Sequence, residues 1–248
     1  CVAYRLPEET AALPRLLPLL EEDAKAQGRD FVLTDVSKAL GGRMRELFPE
    51  KYELKRLYDY DNYVYLVSDL TNLSGRKYHG KKNHVNKFRN SYDFVYESMN
   101  EGNIEECRAV ENEWRAEKLK NQVVAMLSDE QRFMEETMAL ENEAIDRAFG
   151  YFGELGLVGG LLRVDGRVAA FTIGERLTED TFVTHYEKAG DLPGIYSMIN
   201  QQFMEHELQE YTYVNREEDM GLSGLRQVKE SYHPVFMEEV WEARPKER

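Results

Sequence analysis

His185-Tyr-Glu187-Lys188, read as an extended strand, puts an imidazole and a carboxylate on one pleat face, with Tyr186 and Lys188 on the other. A carboxylate beside an imidazole orients it, which is the arrangement general-base chemistry on an amine needs. The same two residues also fit a core histidine bonded to its neighbour. Asn215-Arg-Glu-Glu-Asp219-Met-Gly221 directly follows the apolar run Tyr211–Val214, so a polar stretch sits at the end of a strand and ahead of a glycine and a helix. The planar fork of Arg216 suits a carboxylate or phosphate, and Glu217, Glu218 or Asp219 suits an ammonium group. A charged surface loop is the plainer alternative. Arg226, Lys229 and Tyr232 then recur at helical spacing and extend an anion-binding face.

A third group is cationic. Ser74 to Asn90 holds Arg76, Lys77, Lys81, Lys82, Lys87 and Arg89 and no acid, in a chain whose net charge is −14. Concentrated positive charge on an acidic background repels itself unless an anion sits there, and phosphate is the natural candidate. As a helix, this segment sets Asn83 and Lys87 on one face and turns Val85 and Phe88 inward. Glu141 is a fourth signal: it falls in register with Met134, Met138 and Ile145, an acid on an apolar stripe, and a buried carboxylate needs a partner.

Around these groups the chain reads as alternating helices and strands. Glu8–Gln27 is a helix stopped by Gly28, Phe31–Val36 a strand and Lys38–Phe48 a helix. Tyr52–Leu57 and Tyr63–Val67 read as paired strands, and Asp93–Glu97 as another. Helices follow at Ile104–Lys118, with Ile104, Cys107, Val110 and Trp114 on one stripe, and at Asp129–Phe152. Leu157–Val164 and Arg167–Glu175 flank an Asp165-Gly166 hairpin turn, and Thr181–Lys188 is a third strand. Ile195–Leu208 and Leu222–Glu230 are helical, and Val235–Ala243 is a last strand. The fold class is thus mixed α+β. The polar break Asn100-Glu-Gly-Asn103 predicts two domains, 1–99 and 100–248, and the order of elements in the second is that of an N-acetyltransferase-like domain.

Composition narrows the function. Of 248 residues, 42% are hydrophobic, enough for packed cores, and no run is long and apolar enough to span a membrane. The excess of acid argues against a general nucleic-acid coat. Two cysteines, Cys1 and Cys107, are too few for a disulfide framework or a cysteine zinc site, which predicts a cytoplasmic setting. Cys1 begins what reads as a strand entered midway, with a preceding segment absent; an acylated or nucleophilic amino-terminal cysteine is the alternative. No phosphate loop, dinucleotide fingerprint, His-Glu-x-x-His or serine elbow is present, so neither metal nor cofactor is expected. Asp191-Leu-Pro-Gly-Ile-Tyr196 stands where an acetyltransferase carries its pyrophosphate loop but lacks that loop's pattern, so coenzyme A is not expected either.

Gly80-Lys-Lys-Asn-His-Val-Asn-Lys-Phe-Arg89, His185-Tyr-Glu-Lys-Ala189, Tyr196-Ser-Met-Ile-Asn200 and Val214-Asn-Arg-Glu-Glu-Asp219, in that order, resemble the phosphatidylglycerol lysyltransferase carboxyl-terminal domain family. The resemblance runs from about Phe31 onward. It implies a tandem N-acetyltransferase-like fold related to the Fem-type transferases, which move an aminoacyl group from tRNA to an amine or lipid hydroxyl. Carried over, Lys82, Asn83, Lys87 and Arg89 meet tRNA phosphates or a lipid headgroup, Asn200 contributes to substrate binding, and His185, Glu187, Asn215, Arg216 and Glu217 line the cleft. His185 oriented by Glu187 is the expected base, Arg216 or Lys87 the oxyanion partner, and Glu217 with Asp219 the seat of an α-ammonium. A non-catalytic module holding RNA or an anion, and acetyl transfer from coenzyme A, are the competing readings.

Overall fold

The computed structural model describes residues 2–4, 6, 11–122 and 129–246, with the side chains of 2, 3, 117–122 and 129–138 outside the description. Cys1, Met134 and Met138 therefore lie outside the described residues and side chains. The chain forms two compact units: Cys1–Val64 together with Glu217–Arg248, and Tyr65–Arg216.

The first unit takes both ends of the chain. Its elements are β1 (Val2–Tyr4), α1 (Leu13–Ala26), β2 (Phe31–Ser37), α2 (Lys38–Leu47), β3 (Tyr52–Arg56) and the start of β4 (Asn62–Leu66). From the carboxyl end come α8 (Ser223–Glu230), β10 (Phe236–Glu238) and β11 (Val240–Pro245). The sheet order is β1-β2-β11-β3, with β11 antiparallel to both neighbours. Leu13, Leu17, Leu33, Val36, Leu40, Met44 and Ala243 close the core between this sheet and its helices. The Ser37 hydroxyl caps α2 by accepting from the Leu40 amide at 3.2 Å.

The second unit runs through the end of β4, α3 (Val67–Asn72), α4 (His79–Ser91), β5 (Phe94–Ser98), α5 (Ile104–Gln122), α6 (Asp129–Gly150), β6 (Val158–Val164), β7 (Arg167–Arg176), β8 (Thr181–Ala189), α7 (Ile195–Glu207) and β9 (Tyr213–Asn215). Its strands lie in the order β9-β8-β7-β6-β5, antiparallel except for the parallel β8–β9 pair. Ile104, Cys107 and Val110 of α5 and Ile145 and Phe149 of α6 pack with Leu161, Phe171 and Ile173, while Phe203 of α7 meets Phe182. The expected mixed architecture and the helix–helix–three-strand–helix–strand order are both present.

Four expectations change. Tyr52–Leu57 and Tyr63–Val67 do not pair with each other: β3 joins β11, and β4 joins β10 through Phe236↔Val64 and Met237↔Tyr63. The returning carboxyl-terminal segment, read as one strand, is two, and it supplies both partners. The division at 99/100 is not a boundary between compact units, because β5 just before it pairs with β6 just beyond, Phe94↔Val164 through Ser98↔Gly160. Finally, the β8 alternation breaks. Ile173 opposes Tyr186 and Gly174 opposes Thr184, leaving His185 as an extra residue in a bulge. A Cβ on Gly174 would stand 2.0 Å from the Val183 carbonyl oxygen, so only glycine admits this close approach.

Gly194 caps α7 with φ of +90°, and a Cβ there would lie 2.6 Å from the His84 carbonyl of α4. Gly194→Ala is expected to cost roughly 1–3 kcal/mol from strain and displaced backbone. Urea unfolding should show it as a lower midpoint with unchanged slope.

Candidate active site

β8 and β9 pair only over Thr181↔Tyr213, Phe182↔Val214 and Val183↔Asn215, after which β8 continues to Ala189 while the other strand ends. The side chain just past β9 spans this opening. Arg216 Nη2 donates to both oxygens of Glu187 at 3.2 Å, and Asn200 Nδ2 of α7 lies 3.4 Å from Glu187 Oε2. The pair is largely out of water, with side chains 12% and 14% exposed, and the Tyr65 ring centre lies 5.9 Å from the guanidinium carbon. Low dielectric strengthens such a pair and fixes its geometry.

Lys81 completes the group. Tyr78, Val85 and Phe88 are buried, and Lys81 lies on the same helical stripe of α4, turned inward where Lys82 is exposed. Burial, with repulsion from Arg216 and against attraction by Glu187, brings its pKa down to about 8. A cation and a carboxylate thus pair where two strands part, with the Lys81 amine in their field, a constellation able to hold an anion and accept a proton.

The predicted site residues divide. Glu187, Arg216 and Asn200 come together as described. His185 does not join them: the bulge takes it out of phase with Glu187, and its Nε2 lies 3.1 Å from Glu175 Oε1. Asn215 is buried in the last pairing position of β9. Lys82, Asn83, Lys87 and Arg89 lie on the exposed side of α4; Asn83 approaches His79 at 3.4 Å and Arg89 approaches Gln201 at 3.5 Å. Glu141 is less buried than its stripe implied, at 36% side-chain exposure, and pairs with Lys188 at 2.8 Å.

Glu217, Asp219, Arg226 and Lys229 belong to the first unit and hold its loop together. Asp219 accepts from Tyr63 at 2.6 Å, the Gly221 amide at 2.8 Å and Arg226 at 2.7 and 2.9 Å, so its oxygens are engaged rather than open to a ligand ammonium. Hydrogen bonding to Arg226, chiefly, lowers its pKa to about 2. Arg226 also reaches Asp59 at 2.8 Å, and Lys229 donates to the Glu217 carbonyl at 3.1 Å. An anion-binding face of α8 is therefore not seen in this clasp.

Residue type and position grouped Lys81 with the other cations of the basic segment without singling it out, and passed over Tyr65. The spacing Tyr78, Lys81, Val85, Phe88 was the available signal for Lys81, one cation sharing a stripe with three buried apolar side chains.

Residues 5–244 match the family described as phosphatidylglycerol lysyltransferase, C-terminal. A conserved protein of unknown function from Bacteroides thetaiotaomicron is 35% identical, with a TM-score of 0.87 over 98% of this chain and 79% of its own. L-PGS from Bacillus licheniformis shares the fold at 15% identity, with a TM-score of 0.65 over 96% of this chain and 74% of that one. FemX has a TM-score of 0.50 at 12% identity, covering 96% and 79%. A search of curated proteins gives no match. No helix among the described residues is long and apolar enough to cross a membrane. From the match over nearly its whole length, this chain belongs to the phosphatidylglycerol lysyltransferase carboxyl-terminal family.

Proposed function

We propose that the unit Tyr65–Arg216 is an acyltransferase that moves an aminoacyl group from aminoacyl-tRNA to an amine or a lipid hydroxyl, in the cytoplasm and without a cofactor. The observation that carries this reading is the Arg216–Glu187 pair, joined by Asn200 at the split between β8 and β9, with the Lys81 amine in the field of both. In the step envisaged, the acceptor nucleophile attacks the ester carbonyl and gives its proton to neutral Lys81. Arg216, held in place by Glu187 and Asn200, meets the oxyanion. Collapse breaks the ester bond, and the ribose hydroxyl leaves with the proton returned by Lys81. The exposed cations Lys82, Lys87 and Arg89 on the same helix supply a face for tRNA phosphates.

Two results are expected. kcat/KM should rise with pH to a plateau through a midpoint near 8, because only the neutral amine takes up a proton; Lys81→Met should abolish this limb. Each of Lys82→Ala, Lys87→Ala and Arg89→Ala should weaken tRNA binding and reduce the slope of log K against log salt by about 1. Incubation with charged tRNA and an acceptor, following loss of the aminoacyl ester, tests the reaction. Salt-sensitive tRNA binding with no ester loss would point to a binding module instead.

A further inference from the structure

The first unit holds a cleft of about 800 Å³ at the end of its sheet where β2 begins and β11 ends. Phe31, 7% exposed, gives it apolar surface together with Pro49 and Pro245. Four cations reach it from three stretches of chain: Lys25 and Arg29 from the end of α1 and its turn, Lys51 from just before β3, and Lys246 from just past β11. The acids of the cleft are already engaged. Glu21 accepts from Lys51 at 2.9 Å and from the Tyr52 hydroxyl, Glu50 accepts from Lys246, and Asp30 lies in the field of Arg244. Lys25 and Arg29 are exposed, and neither side chain has a hydrogen bond or ion pair among the described residues.

The turn that presents Arg29 is a fixed one. Gly28, at φ of +65°, closes α1: its amide donates to the Lys25 carbonyl and the Arg29 amide to the Ala24 carbonyl, both at 3.0 Å. In such a turn the place of Arg29 commonly holds an apolar residue packed back on the helix, and a charged, exposed side chain gives that contact up. Lys25, in the last turn of α1, offsets the carbonyl end of the helix; Arg29, beyond the turn, has no such role. In a chain of net charge −14, uncompensated positive charge in a concave site draws an anion. Two cations, one of them a planar fork, match a dianionic phosphate ester. The cleft is of the size that takes a small organic molecule rather than a bare ion. We infer that it binds a small phosphomonoester, with the phosphate on Arg29 and Lys25 and the organic part on Phe31, Pro49 and Pro245. The site lies within the first unit and is independent of the reaction proposed for the second.

Calorimetric titration of the whole protein with phenyl phosphate at pH 7.5 tests this. Benzyl alcohol serves as the uncharged aromatic and inorganic phosphate as the bare anion, all at one ionic strength. One saturable site for phenyl phosphate, none for benzyl alcohol and weaker binding of inorganic phosphate are expected. Arg29→Ala should weaken phenyl phosphate binding about tenfold, the loss of one charge-assisted pair. Arg15→Ala, which changes an exposed arginine of α1 outside the cleft, should leave it unaltered. Both arginines are exposed, so neither variant should shift Tm. No saturable binding of phenyl phosphate, equal affinity in Arg29→Ala and wild type, or an equal loss in Arg15→Ala overturns the site. Inorganic phosphate bound as tightly as phenyl phosphate overturns its assignment to an ester.

Discussion

Under the proposed reaction, Arg216→Ala is expected to lower aminoacyl-transfer turnover by about 10²–10³-fold, the loss that follows when one preorganised oxyanion donor is removed. The effect should fall on kcat more than on KM, because in that reaction the guanidinium would meet charge that develops only in the transition state. The same substitution leaves Glu187, 14% exposed, with Asn200 at 3.4 Å as its remaining partner described above. A stability loss of roughly 1–3 kcal/mol accompanies it. Arg216→Lys keeps the charge but not the fork, so it restores stability better than turnover. Steady-state kinetics paired with thermal melts separates the two effects. Wild-type turnover in a folded Arg216→Ala protein contradicts the role.

Asp219→Ala is the largest expected loss of stability, roughly 3–5 kcal/mol, because it strips a buried acceptor from Arg226, Tyr63 and the Gly221 amide together. The folded pKa of Asp219 is about 2 against an ordinary 3.8. A carboxylate whose pKa is depressed on folding stabilises the native state above its unfolded pKa. That contribution is lost as pH falls through the folded value. The wild type should therefore lose about 2 kcal/mol between pH 4 and pH 2 from this group, and the variant should lack that component of the decline. Denaturant titrations of the two proteins at both pH values measure the difference. An equal decline in the two contradicts the assignment.

Much of the second unit was legible because its signals are local. The Asp165-Gly166 turn, the α5 stripe and the run Thr181–Lys188 each specify their element within a few residues, and β6, β7 and β8 form where expected. The first unit was less legible because its sheet is closed by β11, from the far end of the chain, and no local pattern says that β3 seeks Val240–Pro245 rather than β4. The site divides in the same way. Glu187 was singled out as a carboxylate within a strand and Arg216 by its position at a strand end, and the two do pair. His185 was misplaced because strict alternation assumes no bulge, and the bulge depends on Gly174 across the ladder. Asp219 and Arg226 looked like ligand-binding groups because a charged loop reads alike whether it grips a substrate or its own backbone.

Aminoacyl transfer at the Arg216–Glu187 pair between the split strands, with Lys81 as the proton acceptor, is the reaction proposed for this chain. The most direct measurement offers the protein labelled aminoacyl-tRNA and, in parallel, labelled acetyl-coenzyme A, each with an amine and a lipid acceptor, and follows the label. Transfer from the charged tRNA, at least a hundredfold reduced in Arg216→Ala and absent with acetyl-coenzyme A, is the predicted result. Label moving from acetyl-coenzyme A instead, or from the tRNA at equal rates in wild type and variant, contradicts it.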